Sequence, residues 1–210
     1  MTGLSGKITS FRRPTLNLAW ERRLLAATER FELKKTVVLI GMMGAGKTAV
    51  GKALAARLQV PFLDSDTEIE KAANMTIAEI FERDGEAFFR NRETEVLDRL
   101  LDSQRGVLST GGGAFLSERN RKLISEKGIS VWLNADLKLL WSRVKHKKTR
   151  PLLATSDPFE TLKNLYETRV PIYAQADLSV ASRSGYSIEA MAQRVLKALR
   201  ARPDVLETRE

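Results

Sequence analysis

The sequence predicts an α/β fold in which a five-stranded parallel sheet lies between two layers of helices. Five short apolar stretches alternate with longer segments of helical character, which is the order expected of parallel strands joined by crossover helices. These stretches cover residues 36–40, 61–63, 107–109, 129–133 and 178–180. A glycine-rich loop directly follows the first stretch. Because ligands of such folds sit beyond the carboxyl ends of the strands, we expect the functional site there.

Capping and stop residues mark the helices between the strands. A helix is predicted over residues 49–58, and Thr76 with Glu79 forms a capping box that opens another helix. We expect that helix to stop at Gly85 and a further helix to span residues 87–101. Later helices are predicted to start at Asp136, at Asp157 with Pro158, and at Ser187. Helix stops are predicted at Gly128 and before Pro203.

The chain divides into a basic N-terminal extension (1–35), a single domain (36–202) and a C-terminal tail (203–210). A polar, basic stretch at about 146–157 is predicted to be a mobile lid. In the extension, Asn17 is expected to cap a helix that runs to about Phe31. Its apolar face favours docking on the domain. A targeting presequence remains the alternative, because residues 1–20 contain no acidic side chain.

Composition excludes several classes of protein. There is no cysteine and one histidine, His146, which excludes disulfides and clusters of thiolate or histidine metal ligands. The 43% hydrophobic content suffices for a substantial core. No apolar run approaches the length of a membrane span, and the N-terminus lacks the apolar core of a secretory signal. We therefore expect a cytoplasmic protein without a membrane partner. We also expect a monomer, although composition does not determine the oligomeric state.

The charge distribution is uneven. The chain carries 35 basic and 26 acidic residues, a net charge of +9. Residues 1–36 hold eight basic and three acidic side chains, hence +5 of that excess. A basic patch can bind nucleic acid. Because no aromatic residues interleave with it, we expect no nucleic-acid partner and a polyanionic small-molecule ligand instead.

The loop after the first strand, GMMGAGKT at residues 41–48, fits the phosphate-binding pattern G-x-x-x-x-G-K-[ST]. Glycines let the backbone wrap closely round phosphate oxygens, and the following helix N-terminus adds a positive dipole end. Lys47 can reach the β- and γ-phosphates of ATP, and Thr48 can bind Mg²⁺. The alternative is a plain strand–helix turn. We predict ATP contacts at Gly44, Ala45, Gly46, Lys47, Thr48 and Ala49, with Lys47 also catalytic.

Two carboxylates, Asp64 and Asp66, flank one serine at the end of the second strand. One can hold Mg²⁺, directly or through water, and the other can accept a proton or a hydrogen bond from a substrate hydroxyl. The alternative is that Asp66 only caps the next helix. Beside a phosphate-binding loop, the catalytic interpretation is favoured.

Two arginines are candidates for binding an anionic substrate. Arg90 lies on a helix that we expect over the cleft, but a surface ion pair with Glu86 or Glu93 is the alternative. Arg169 precedes a proline near the end of a later helix, where a cation also suits the helix dipole. If both arginines face the cleft, they can neutralise a carboxylate that would be costly to desolvate unpaired.

Two loop features complete the predicted site. Residues Gly111, Gly112 and Gly113 can bring bare backbone up to a ligand, with a flexible turn as the alternative. Arg150 lies in the basic stretch predicted to be a lid. A lid can close over ATP and place a cation on the transferring phosphoryl group. Its alternative is solvated surface charge.

Taken together, these motifs resemble those of the shikimate kinases, and the resemblance covers about residues 37–199. The residues that carry it are the loop 41–48, Leu63-Asp64-Ser65-Asp66, Asp84-Gly85-Glu86, Phe89-Arg90, Glu93, Gly111-Gly112-Gly113, Arg150-Pro151-Leu152-Leu153, Arg169, Pro171 and Tyr173. The phosphate-binding loop alone is shared with many families, whereas the ordered set is far more specific.

The resemblance implies the three-layer P-loop kinase fold with a mobile lid, and transfer of the ATP γ-phosphoryl group to the 3-hydroxyl of shikimate. By position, it implies that Asp64 assists Mg²⁺ and that Asp66 holds the reactive hydroxyl. Arg90 and Arg169 would bind the shikimate carboxylate beside the triple glycine. Catalytic Arg150 would act from the lid, Arg143 would pack near the nucleotide, and Arg183 would contact adenine.

Two departures from the family pattern are visible. The family's adenine loop usually contains proline, whereas residues 182–186 read SRSGY. The basic N-terminal extension is additional to the family core. Three alternatives remain: a related kinase for another hydroxy acid such as gluconate, a P-loop ATPase or nucleic-acid-linked switch, and a binding module without catalysis.

Overall fold

The computed structural model describes residues 30–146 and 151–209. The strands in these ranges are β1 (Arg30–Leu33), β2 (Thr36–Ile40), β3 (Phe62–Asp64), β4 (Val107–Ser109), β5 (Gly128–Ala135), β6 (Leu178–Ser182) and β7 (Leu206–Arg209). Five of them form one parallel sheet in the order β3-β4-β2-β5-β6. The predicted sheet is confirmed, because each of its five strands overlaps one of the five apolar stretches.

The described helices are α1 (Lys47–Leu58), α2 (Ser65–Ala73), α3 (Ile77–Ser103), α4 (Glu118–Lys127), α5 (Leu137–Val144), α6 (Pro158–Tyr173) and α7 (Ile188–Arg200). They flank the sheet: α1 packs against α7, and α3 packs against α4. Short 3₁₀ turns occupy Ala114–Leu116 and Pro151–Leu153. None of the described helices is long and apolar enough to cross a bilayer.

Strand β2 lies at the centre of the sheet, between β4 and β5. All five of its residues are buried, each with an exposed fraction of 1% or less. A strand covered on both faces needs apolar residues at successive positions, which explains the unbroken run Thr36–Ile40. The loop that leaves β2 is thereby anchored in the core.

Most predicted helix boundaries are confirmed by the hydrogen bonds of their caps. The capping box of Thr76 and Glu79 is formed in both directions. Asp136, Asp157 and Ser187 each accept a hydrogen bond from a backbone N–H in the first turn of the following helix. The predicted stop at Gly85 is also confirmed, because this residue adopts a non-helical φ of 79° and ψ of 174°. The range given for α3 therefore consists of two helical segments that meet at a kink at Gly85.

The two chain ends pair with each other. Strands β1 and β7 form an antiparallel sheet in which Leu33 lies opposite Leu206, and both side chains are buried. Phe31 therefore lies in a strand and does not end a helix as predicted, and the predicted tail 203–210 contains β7. Trp20 and the rest of the predicted N-terminal helix lie outside the described residues.

Candidate active site

A cleft of about 510 Å³ lies beyond the carboxyl ends of the parallel strands. It is lined by the phosphate-binding loop and the start of α1 (43–50), by Asp64 and Asp66 after β3, and by residues 109–112 after β4. Arg143 of α5 and the residues that follow β6 complete its wall. The structure therefore brings together the loop, the paired aspartates and part of the triple glycine, as the sequence predicts.

The phosphate-binding loop depends on its glycines for its shape. Gly41, Gly44 and Gly46 have φ of 136°, 82° and 97°, a region that side chains disfavour. A Cβ atom at Gly44 would also lie 2.8 Å from Cγ1 of Val144. Helix α1 begins directly after Gly46, which has no side chain to cap it. Its first N–H groups thus face the cleft as an anion-binding end.

Lys47 is held over this loop. Its Nζ donates hydrogen bonds to the carbonyl oxygens of Gly41 (2.8 Å) and Met42 (3.2 Å). Ala49, also predicted to contact ATP, lines the cleft at the start of α1. The ammonium group is therefore already positioned on the inner side of the loop, where phosphate oxygens of a nucleotide would lie.

Thr48 and Asp64 form the part of the cleft that suits a divalent cation. Thr48 Oγ1 lies 3.3 Å from Asp64 Oδ2. Asp64 Oδ1 accepts a hydrogen bond from the N–H of Thr67, so Asp64, not Asp66, caps helix α2. Hydroxyl and carboxylate oxygens are ligands that Mg²⁺ prefers. In the described ranges no group of three or more acidic, His or Cys side chains could hold a metal, so phosphate oxygens and water would complete the shell.

Asp66 occupies a less solvated position in the first turn of α2. Burial raises the pKa of its carboxyl, and the neighbouring charge of Asp64 raises it further, whereas Lys47 and Arg90 lower it. A carboxylate with a raised pKa is a better proton acceptor. The two aspartates therefore differ in kind, although only one residue separates them.

The triple glycine faces three of the predicted substrate-binding side chains. A Cβ atom at Gly111 would lie 2.7 Å from Asp66 Oδ1, and one at Gly113 would lie 2.5 Å from Arg90 Nη1. A Cβ atom at Gly112 would lie 3.5 Å from Arg169 Nη1, which is ordinary contact. One carboxylate and two guanidinium groups thus converge on a short stretch of bare backbone.

Arg90 makes both of the ion pairs that form the alternative to a substrate role. It contacts Glu86 through Nε and Nη2 and Glu93 through Nη1, at 2.9–3.2 Å. These contacts use three of the five N–H groups of a guanidinium, which leaves one on each terminal nitrogen. Glu93 is only 1% exposed, and burial raises its pKa while Arg90 lowers it. Glu93 therefore orients Arg90 and does not compete for its remaining N–H groups.

Tyr173, one helical turn after Arg169, is fully buried, and its hydroxyl donates a hydrogen bond of 2.5 Å to the carbonyl oxygen of Gly112. Burial raises the pKa of this phenol, while Arg169 lowers it. The tyrosine thereby fixes the middle of the glycine turn. Sequence patterns alone assigned no such contact to Tyr173.

The nucleotide end of the cleft differs in part from the prediction. Arg143 donates to the carbonyl oxygens of Gly44 (3.1 Å) and Ala45 (3.4 Å), beside the phosphate-binding loop as expected. Arg183 is exposed and does not line the cleft, whereas Ser182 and Tyr186 do. Ser182 Oγ is buried and has no hydrogen-bond partner within the described chain. The inward alternation of β6 from Val180 is the signal that could have found it.

The structure describes one end of the predicted lid but not its arginine. Arg150 lies outside the described residues, so its predicted contact with the phosphates is not tested. His146 is described and is exposed.

Comparisons with known proteins agree with this geometry. A family model described as shikimate kinase matches residues 43–200. A shikimate kinase of Ruegeria pomeroyi is 68% identical over 83% of this chain and 90% of that protein. A shikimate kinase from Acinetobacter baumannii, solved in complex with shikimate, superposes with a TM-score of 0.75 at 40% identity, over 80% of this chain and 93% of that one. A gluconokinase from Sinorhizobium meliloti reaches 0.51 at 17% identity over 81% and 94%, which shows the fold alone.

Proposed function

The chain belongs to the shikimate kinase family, and from this premise we propose how its cleft transfers the γ-phosphoryl group of ATP to the 3-hydroxyl of shikimate. The observation that carries the proposal is the convergence of Asp66, Arg90 and Arg169 on residues 111–113. It places one hydrogen-bond acceptor for a hydroxyl beside two cations for a carboxylate. A hydroxy acid needs that combination.

Shikimate is held by its carboxylate and by its reactive hydroxyl. The remaining N–H groups of Arg90 and the guanidinium of Arg169 bind the carboxylate, while Asp66 accepts a hydrogen bond from the 3-hydroxyl. As the oxygen–phosphorus bond forms and the bond to the β-phosphate oxygen breaks, the hydroxyl proton passes to Asp66 and ADP leaves. The loose transition state of phosphoryl transfer requires little base help, so part of the contribution of Asp66 is to orient the oxygen.

ATP lies along the phosphate-binding loop. Backbone N–H groups of residues 44–48 and the ammonium of Lys47 bind its phosphates, and Lys47 offsets charge on the transferring group. Thr48 and Asp64 would hold Mg²⁺, which neutralises charge on the β- and γ-phosphates when bound. Arg143 lies beside the loop at the nucleotide, and Arg150 is proposed to complete the site from the lid.

We further propose a cytoplasmic monomer with no nucleic-acid or membrane partner. The proposed binding groups for both substrates come from a single chain, so a second copy is not needed for catalysis.

An ADP-release assay over a panel of hydroxy acids tests the proposed function. We expect turnover that depends on both shikimate and Mg²⁺, and background rates with gluconate or with nucleic acid. Equal or faster turnover with gluconate would contradict the assignment. Hydrolysis of ATP that is independent of any acid would favour an ATPase.

A further inference from the structure

Two buried polar side chains, Thr94 of α3 and Asn120 of α4, lie behind the proposed shikimate site. Thr94 is 5% exposed and Asn120 is 0% exposed. Neither lines the cleft. A buried polar side chain requires hydrogen-bond partners, and the partners of this pair connect two parts of the site.

The hydrogen bonds join the helix that carries Arg90 to the glycine turn. Thr94 Oγ1 lies 3.0 Å from the carbonyl oxygen of Arg90 and 2.8 Å from Oδ1 of Asn120. Asn120 Nδ2 donates to the carbonyl oxygen of Ala114 at 2.9 Å. Ala114 directly follows Gly113, where the Arg90 guanidinium lies too close to the backbone to leave room for a side chain. Thr94 has a single hydroxyl proton for the acceptor oxygens of Arg90 and Asn120, so it donates to Asn120 in the shorter contact and is joined to Arg90 through the turn of α3 that they share. These contacts and the close approach at Gly113 therefore form a closed ring that begins and ends at Arg90.

The local sequence places Asn120 at this point. It lies in the first turn of α4, where its backbone N–H donates to the capping hydroxyl of Ser117 at 3.4 Å. The amide orientation follows from the partners, because only the NH₂ group can donate to the Ala114 carbonyl. The contact from Thr94 to the Arg90 carbonyl lies within one helix and is common there. Asn120 thus supplies the link between the two elements.

We infer that Asn120 is a positioning residue for the shikimate carboxylate site, acting with Thr94 to hold the Arg90 helix at a set distance from residues 111–114. The inference rests on the proposed function. Without the amide, Arg90 can shift away from Gly113 while it keeps its pairs with Glu86 and Glu93. Small displacements of a binding group have large kinetic effects. The phosphate-binding loop has no part in this ring, so ATP binding is independent of it.

The test compares shikimate and ATP kinetics for the full chain and a set of variants. Asn120→Ala removes both contacts. Asn120→Asp keeps an acceptor for Thr94 but sets a carboxylate oxygen against the Ala114 carbonyl. Thr94→Val removes the hydroxyl at nearly constant shape, and Thr94→Ser restores it. We expect the shikimate KM to rise about tenfold or more in the first three variants, with the ATP KM unchanged and Thr94→Ser close to wild type.

Ser130→Ala provides a matched control for lost stability. Ser130 is 3% exposed, and its hydroxyl donates to Asp177 at 2.6 Å near the amino end of β5, away from the cleft. The melting temperature of this variant should fall, as for Asn120→Ala, but its shikimate KM should not move. If the Asn120 and Thr94 variants have lower melting temperatures but keep the wild-type shikimate KM, the inference is overturned and the proposed function stands. If the wild-type chain shows no shikimate-dependent turnover, both are overturned.

Discussion

The carboxylate of Asp66 lies so close to Gly111 that a Cβ atom there would come within 2.7 Å of Oδ1. At the next residue, Gly112, an added Cβ atom would make only ordinary contact, at 3.5 Å from Arg169 Nη1. A side chain at Gly111 would therefore collide with the Asp66 carboxylate, whereas one at the neighbouring Gly112 would not collide with Arg169. The difference shows which part of the turn the proposed chemistry depends on.

The first prediction concerns these two glycines. Gly111→Ala should displace the Asp66 carboxylate and lower kcat by at least about a hundredfold, since a misplacement of about 1 Å can have that effect. Gly112→Ala should cause a much smaller loss, which makes it the matched control. Steady-state kinetics of both variants, with melting temperatures to confirm folding, provide the test. Equal activities for the two variants would show that Asp66 does not depend on the turn.

The carboxylate clamp gives the second prediction. Arg90→Ala and Arg169→Ala should each raise the shikimate KM strongly and leave the ATP KM nearly unchanged, because losing one partner of a desolvated charge pair costs about 2–5 kcal/mol. Arg90→Ala also leaves Glu93 buried without its cation. The melting temperature of Arg90→Ala should therefore fall below that of Arg169→Ala. Calorimetry with shikimate measures the binding directly. Normal binding by both variants would make these arginines structural.

Ser182 provides the third prediction, at the nucleotide end. Ser182 lines the cleft, and its hydroxyl is buried there without a protein partner in the described ranges. We expect a nucleotide base bound beside it to supply that partner. Ser182→Val should therefore raise the ATP KM, whereas Arg183→Ala, at an exposed position outside the lining, should not. The ATP KM, measured at saturating shikimate, distinguishes the two variants. If Arg183→Ala raises the ATP KM and Ser182→Val does not, the result would support the predicted contact between Arg183 and adenine instead.

Sequence reasoning recovers the features that local patterns encode. The strand Thr36–Ile40, the caps at Asp136 and Ser187 and the loop at 41–48 all depend on residues within a few positions of each other. The convergence at the cleft also follows, because parallel strands place their carboxyl ends along one edge.

Other features depend on distant partners and have no local signal. Leu33 pairs with Leu206 across more than 170 residues, in strands too short to show a period. The ring through Asn120 joins three segments in the same way, and no pattern in any one of them predicts it.

The fourth prediction follows from the raised pKa of Asp66. A carboxyl whose pKa is higher in the folded state favours folding at low pH and opposes it once ionised. Asp66→Asn should therefore be more stable than wild type at pH 7, and this difference should shrink as the pH falls through the raised pKa. Melting temperatures of the two proteins across pH give the comparison, in which the shifts of groups that do not interact with Asp66 cancel. Glu93 is not among these groups, because the charge of Asp66 contributes to raising its pKa. A less stable Asp66→Asn protein at pH 7 would contradict the assignment.

The most direct test of the proposed mechanism is a Mg²⁺ titration of kcat for wild type, Asp64→Asn and Asp66→Asn. Asp64 lies 3.3 Å from Thr48, so its variant should need more Mg²⁺ and be partly rescued by it, and asparagine retains the helix cap. Asp66→Asn keeps the size and one hydrogen-bond acceptor but removes the carboxylate that accepts the proton of the reactive hydroxyl. Its kcat should fall by roughly 10²–10⁴ and should not respond to Mg²⁺. Rescue of Asp66→Asn and not of Asp64→Asn would reverse the two roles, and full activity in both variants would contradict the mechanism.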